Sequence, residues 1–498
     1  MRKRIYGIIA LVSVLSTAAY IPHKDDDEAT IEIFHRINDE VRDNSRAYET
    51  LGDACYTIGH RLTGSFNGKR VEEYAYNLFK SYGFRDVKYQ GFQVEAWARD
   101  TVTLAIAPNK SDNFRDVEVV ALAMTPLEAK VAGSIVDVGN GLEPDFKEVG
   151  DKLKGKIALV NIGLLPPIKG SRNLHRSEKT ALAIQYGAVG VIFVNTVKGN
   201  ILLTGTASVT GGLVAIPAVC ISLESGMQIR AWMNEEPNLV ALVDMKNVSR
   251  VIKARNIVAT IKGESSKYDN EKIIIGGHLD SWDLAHGAID NGIGSFSVLD
   301  IARAFKALKL KTKRPIEFVL FMGEEEGLLG SKAMVERLKK TNSMDKVAFM
   351  INLDMSNNTN GFNASGRDEM VAFLTKLGEQ IKKIEPSFKN NIINKATLHS
   401  DHQTFMLEGV PTAAPIGDLS PEALGCYHAN CDRFSLVKKD EMINTVRYTA
   451  MLLYGIANAE ELPAKKLDFY STRDFFVKEN LQTELELGKE WRWESAAN

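Results

Sequence analysis

The sequence has little of several things, and each shortage excludes a class of protein. Only four cysteines occur in 498 residues, so no disulfide framework holds the chain together. The 61 basic and 63 acidic residues nearly cancel, which gives no electrostatic case for nucleic acid or an anionic membrane surface as a partner. After residue 19 there is no apolar run long enough to span a bilayer. A G-x-S-x-G nucleophile elbow and an H-E-x-x-H helix are both missing, which removes the commonest sequence signs of a serine hydrolase and of a single-zinc protease.

What remains is an ordinary globular composition, 45% apolar and 25% charged, in a chain long enough for two or three domains. The start reads as an exported protein's leader. Met1-Arg-Lys-Arg is basic, Ile5 to Ala19 is a short apolar run, and Ser16-Thr17-Ala18 offers small residues for cleavage. A signal peptide over 1–19 is therefore expected, with a periplasmic or secreted mature protein and no membrane association after cleavage. Export permits Cys426 and Cys431 in "CYHANC" to pair, while Cys55 and Cys220 read as buried apolar residues.

Residues 28–53 show helical spacing, with Ile31, Ile33, Phe34 and Ile37 on one side, and a second amphipathic helix ends at Gly83. This N-terminal part, 20–111, is an incomplete domain that must pack on something later. From 112 to 250 short β-rich runs such as "GKIALVNIG" and "AVGVIFVN" alternate with glycine and charge, predicting an inserted β-rich unit with one or two helices and an accessory role. From 251 to 465 strands and helices alternate: "KIIIGGH", "SVLDIARAFKALK", "PIEFVLFMG", "EGLLGSKAMVERLKK", "KVAFMINLD". That order predicts an α/β fold, a mixed sheet, mostly parallel at its centre, sandwiched by helices. Residues 466–498 are a C-terminal extension without an evident role.

The polar clusters fall at the carboxyl ends of those strands, where ligands gather in such sheets. "GGHLDSWDLAHGAIDNG", residues 276–292, holds two histidines and three aspartates directly after three isoleucines. Glu324-Glu325-Glu326, Asp354 in "NLDMS", and His428 with Asp432 in "YHANCD" complete the set. Any one cluster suits a structural cap. Together they bring carboxylates into mutual repulsion that protonation or a shared cation must relieve. Histidines with carboxylates suit zinc or a similar divalent ion, and the lack of thiolates disfavours a closed structural site. Five or six ligands exceed one tetrahedral ion, so two metals sharing a carboxylate is the economical arrangement.

These motifs, in this order, resemble those of the M28 family of co-catalytic zinc metallopeptidases, in particular its plasma glutamate carboxypeptidase branch. The segment 112–250 resembles that family's protease-associated domain. The resemblance implies a zinc exopeptidase fold, two zinc ions per chain, hydrolysis of short peptides or dipeptides, and a homodimer. Carried over by position, His278 and Asp354 hold one zinc, Glu325 and His428 the other, and Asp290 bridges them. Glu324 is the general base, Asp280 orients the His278 imidazole, and Asp432 supports. Where the family commonly has a second aspartate after the bridging one, this chain has Asn291. Glu326 reads as a solvated first-turn residue. Tyr427 is placed either to donate to an oxyanion or to pack, and His399 and His402 are near enough to line a substrate pocket. The alternative is a catalytically inactive, peptidase-like binding or receptor protein, which should have lost a ligand or the base. None is lost here.

Overall fold

A computed structural model describes residues 26–108, 113–236 and 238–493. The expected signal peptide lies outside them. Its framework is a 14-stranded sheet that runs through both halves of the molecule. In the half built from the strands after residue 251, Val347–Asn352 and Ile316–Phe321 flank Lys272–His278, both parallel to it. Three strands with one direction must end at one edge. Register places Phe321 beside His278 and Asn352 beside Gly276. All three acidic motifs that follow these strands therefore emerge together.

The local sequence explains the layering. Ile273 and Ile275 face one apolar core and Ile274 the other, as a pleat of period two requires. On the first face lie the helices Asp26–Asn44, Ala47–Thr57, Phe66–Ser81, Ile293–Ala307 and Lys439–Asn458. Phe34, Ile37 and Val41 are fully buried in the same cluster as Ile275. The N-terminal helices thus complete the core of a sheet formed more than two hundred residues later. On the opposite face Met334, Val335 and Leu338 of Leu329–Lys340 cover Ile274 and Val319. The helical stretch expected over 28–53 is broken at Ser45 and Arg46. There the Asp300 carboxylate accepts from Ser45 Oγ at 2.7 Å and from the Arg46 amide at 3.0 Å.

The inserted unit sits on the same sheet. Glu128–Asp137, Ile157–Asn161, Gly190–Val194 and Ala218–Ile221 are its longer strands, and among the described residues it carries three α-helices, Glu143–Val149, Arg176–Gln185 and Leu223–Glu235, where one or two were expected. Its junction is not a linker. Val87–Pro108 and Leu239–Ile261 pair antiparallel from Val87 opposite Ala259 to Pro108 opposite Leu239, with one bulge at Arg99. The boundary expected near residue 250 falls inside an unbroken strand. Burial along Leu239–Ile261 alternates at first, is lost around 248–253, and is continuous from Asn256 to Ala259. One strand therefore serves a one-sided sheet, a waist and a two-sided sheet in turn.

The N-terminal part also grips the loop after Lys272–His278. Arg61, fully buried, donates to the backbone oxygens of Leu279 at 2.6 Å, His286 at 2.7 Å and Gly287 at 2.8 Å, and its amide donates to Ser281 Oγ at 3.0 Å. Arg61→Met keeps much of the volume but strands three buried carbonyls. It should lower unfolding stability by about 3 kcal/mol, the scale of a lost charged hydrogen-bond set, read as a drop in the urea midpoint at unchanged slope.

Candidate metal centre

The strand Lys272–His278 ends in Gly276-Gly277-His278 because the neighbouring chain runs close by. A Cβ on Gly277 would run into the Leu353 carbonyl oxygen, and one on Gly276 would lie 2.8 Å from that of Val319. The tight approach sets His278 beside Asp354. His278 Nε2 lies 3.3 Å from Asp354 Oδ1 and 3.2 Å from Asp290 Oδ1. The other oxygen of Asp290 lies 2.8 Å from His428 Nε2, which is also 2.9 Å from Glu325 Oε2. Glu324 Oε2 stands 3.9 Å from His278 Nε2 on the pocket side. His278, Asp290, Glu324, Glu325, Asp354 and His428 thus form one cluster, whose largest side-chain exposure is the 23% of Asp354.

Its electrostatics call for a cation. Burial, with Asp290 near Glu325 and Asp354 near Glu324, pushes both glutamates well above the usual carboxylate range. Burial opposes charge on His278, but the carboxylates of Glu324 and Asp354 override it and drive its pKa well above the ordinary value. Burial and the Arg176 guanidinium take His428 down to about 4, so its imidazole is neutral near pH 7, the form that ligates metals. His278, Asp290 and Glu325 each present a ligand atom within 4.8 Å of the others, and the buried Glu325 Oε1 accepts no hydrogen bond. The donor set and that orphan oxygen fit a divalent ion.

Surrounding groups fix the ligands through the backbone. Asp432 accepts from the amides of Ile289 at 2.7 Å and Asp290 at 3.0 Å. Asn291 donates to the Leu353 carbonyl at 2.8 Å, and its Oδ1 accepts from the amides of Gly294 at 3.1 Å and Met355 at 3.0 Å. An amide supplies both donor and acceptor there, so the asparagine in place of a second aspartate braces the loop. Ser400 Oγ donates to Asp354 Oδ2 at 2.6 Å. Cys426 and Cys431 are disulfide-bonded, closing the turn that carries His428, and Cys55 and Cys220 are free and buried.

Two expectations change and two are narrowed. The Asp280 carboxylate was to orient His278, but the nearer partner of Nδ1 is the Asp280 carbonyl at 3.2 Å, with the carboxylate at 3.7 Å. The carboxylate oxygens instead accept from the amides of Glu324 at 3.4 Å and Glu325 at 3.2 Å, tying two strand ends together. Glu326 is not solvated: it is 2% exposed, because the chain turns through Gly327 and Leu328 before the helix begins at Leu329. His402 lines the pocket but has no nitrogen to offer, since Nδ1 faces Asn352 Nδ2 at 3.3 Å and Nε2 donates to the Thr397 carbonyl at 3.0 Å. Tyr427 packs its ring on His428 with centroids 3.8 Å apart.

Other pocket residues carried no sequence signal. Arg176, on the first turn of Arg176–Gln185 in the inserted unit, reaches His428 Nδ1 and lies over the Tyr427 ring. The Thr204 amide donates to the His428 carbonyl at 2.9 Å. Glu484, Leu485 and Glu490 of the C-terminal extension complete a cavity of about 390 Å³. The inserted unit and the extension are therefore walls of the site.

Residues 256–453 match Peptidase family M28, and residues 119–229 match the PA domain. Carboxypeptidase Q of Bos taurus is 25% identical over 423 residues, spanning 84% of this chain and 86% of the relative. The solved aminopeptidase from Aneurinibacillus sp. strain AM-1 is 27% identical with a TM-score of 0.64, covering 88% of this chain and 99% of that one. A Peptidase M28 precursor from Shewanella amazonensis SB2B shares the fold at a TM-score of 0.74 and 23% identity, over 89% of this chain and 100% of that one.

Asp432→Asn leaves one oxygen to serve two amides, loosening Asp290 without touching a ligand atom. Divalent-ion affinity, measured by competition with a chelator, should fall about 10- to 100-fold, the usual cost of removing such support.

Proposed function

We propose that this chain, which belongs to peptidase family M28 and is a metallopeptidase, is an exported exopeptidase that cleaves short peptides with two zinc ions. The observation that carries the pairing is Asp290, whose two oxygens each face a different imidazole Nε2, at 3.2 and 2.8 Å. One carboxylate placed that way suits two cations side by side. His278 and Asp354 would hold one, Glu325 and His428 the other, with Asp290 between them. The chemistry that zinc would supply there is Lewis acidity for the scissile carbonyl and a lowered pKa for water.

The protein's own groups do the rest. Glu324 lines the cavity and is 9% exposed, so its carboxylate meets substrate and solvent only through the pocket. It takes a proton from the attacking water and delivers it to the leaving amine. The amides of Glu324 and Glu325 are held on Asp280, which keeps base and ligand pointing in different directions from adjacent residues. The cavity of about 390 Å³ lies at the small end of ligand clefts, about 300 to 1,000 Å³. Walls from three parts of the chain line it, which suits a short peptide. Relatives named as aminopeptidase and carboxypeptidase both trim chain ends. Export rests on the basic and apolar start of the sequence. Among the described residues no helix is long and apolar enough to cross a membrane.

Three single variants test the glutamate roles. Glu324→Gln should keep its metal and fold while kcat falls by about 10² to 10⁴, the contribution of general acid–base catalysis. Glu325→Gln should lose one ion, because an amide compensates metal charge poorly. Glu326→Gln should change neither: burial, and the Asp280 carboxylate beside it, push that carboxyl well above the usual range, and an amide matches its shape. Retention of all metal by Glu325→Gln with a loss in Glu326→Gln would shift the register by one residue.

A further inference from the structure

A second set of ligand-type side chains lines the same pocket and shares no residue with the paired centre. Glu178 comes from the inserted unit, on the helix Arg176–Gln185. His399 comes from the loop before His402, and Glu484 from Gln482–Leu487 in the C-terminal extension. One ligand atom from each lies within 4.8 Å of the other two. Both glutamates are buried, at 1% and 6% exposure, while the His399 side chain is 41% exposed.

The two carboxylates are each used on one oxygen and orphaned on the other. Glu178 Oε2 accepts from the His175 amide at 2.7 Å, and Glu484 Oε1 pairs with Arg172. Glu178 Oε1 and Glu484 Oε2 accept no hydrogen bond although buried. Those same two oxygens are the ones that face His399 Nε2, at 3.6 and 3.9 Å. Buried acceptors are rarely left without a partner, because the lost hydration is then not recovered. Two carboxylates so placed repel each other as well.

We propose that Glu178, His399 and Glu484 form a third divalent-cation site, taking zinc or a similar transition ion, which staples the inserted unit and the C-terminal extension to the peptidase loop. Two ligands about 2.1 Å from one tetrahedral ion lie about 3.4 Å apart, so the observed separations close with small side-chain shifts. Imidazole among the ligands disfavours calcium and magnesium, which take oxygen. Three protein ligands leave one position for water on the pocket side, where His399 is open. An ammonium group is the competing occupant. Two carboxylate oxygens and an imidazole nitrogen would accept from an ammonium as well as bind a metal, so the experiment below is built to separate the two.

The ion's effect follows from what its ligands join. Arg176 is two residues from Glu178 on the same helix and reaches His428. Fixing Glu178 to the loop at 399 and the helix at 484 therefore fixes the cavity wall against the paired centre.

The test is metal content by mass spectrometry on full-length holoenzyme exchanged into chelator-free buffer. Wild type should carry about one ion per chain more than His399→Ala, whose half-exposed side chain leaves the core intact. The double variant Glu178→Gln/Glu484→Gln should show the same loss of one. Zinc added to chelated wild type should raise the melting temperature by more than it does in His399→Ala. Combining His399→Ala with Glu325→Gln should remove two ions, because the sites are separate. Unchanged metal content in both His399→Ala and the double variant overturns the proposal. The same result with KM rising only for peptides that bear a free amine would assign the glutamates to an ammonium instead. A loss in His399→Ala without one in Glu325→Gln would leave this site standing and count against the paired centre.

Discussion

Mutual repulsion among buried carboxylates is the constraint to which the rest of the molecule answers. Asp280, Asp290, Glu324, Glu325 and Glu326 are each no more than 9% exposed, with Asp354 at the same strand ends. At that density in a low-dielectric interior they cannot all stay charged without cations. Neutral His428 and the shared Asp290 make the cluster a receptor for positive charge. Everything around it holds the acids where they would not stay by themselves. Asp280 ties two strand ends, Asp432 holds the amide of Asp290, Asn291 braces the crossing of three segments, and Arg61 grips the loop from behind.

The inserted unit belongs to this arrangement. It hangs from two strands that pass without interruption into the peptidase sheet, so its position is set by a continuous hydrogen-bond ladder. Through Thr204 and Arg176 it touches the turn that carries His428. The C-terminal extension packs Phe476, Leu481, Leu485 and Trp493 on Leu398 and Met406, which delivers Glu484 and Glu490 to the cavity. A catalytic sheet, an inserted unit and a tail thus share one pocket. Access, substrate size and the stiffness of the metal ligands are set together.

The chain itself determined the alternation of strand and helix after residue 255, because continuous apolar runs and helical spacing are local signals. The same alternation put the acidic motifs at one sheet edge, since parallel strands can end nowhere else. His278, Asp290, Glu324, Glu325 and Asp354 were legible for that reason, whereas His428, on a turn after the helix Pro421–Gly425, was placed by the resemblance of its motif. The tertiary structure alone decided how each side chain is used. Glu326 and Glu325 are neighbours of the same type, yet only the turn at Gly327 and Leu328 shows that Glu326 is buried and Glu325 faces His428. His402 reads as a free imidazole until Asn352 and Thr397 take both nitrogens. Arg61, Arg176, Glu178 and Glu484 are charged residues with no periodicity around them to mark a role. They act across separations of up to a few hundred residues, through directional contacts between segments that meet only after the sheet has formed. Local patterning records which face of an element is buried. It carries no information on which distant group fills the last hydrogen bond.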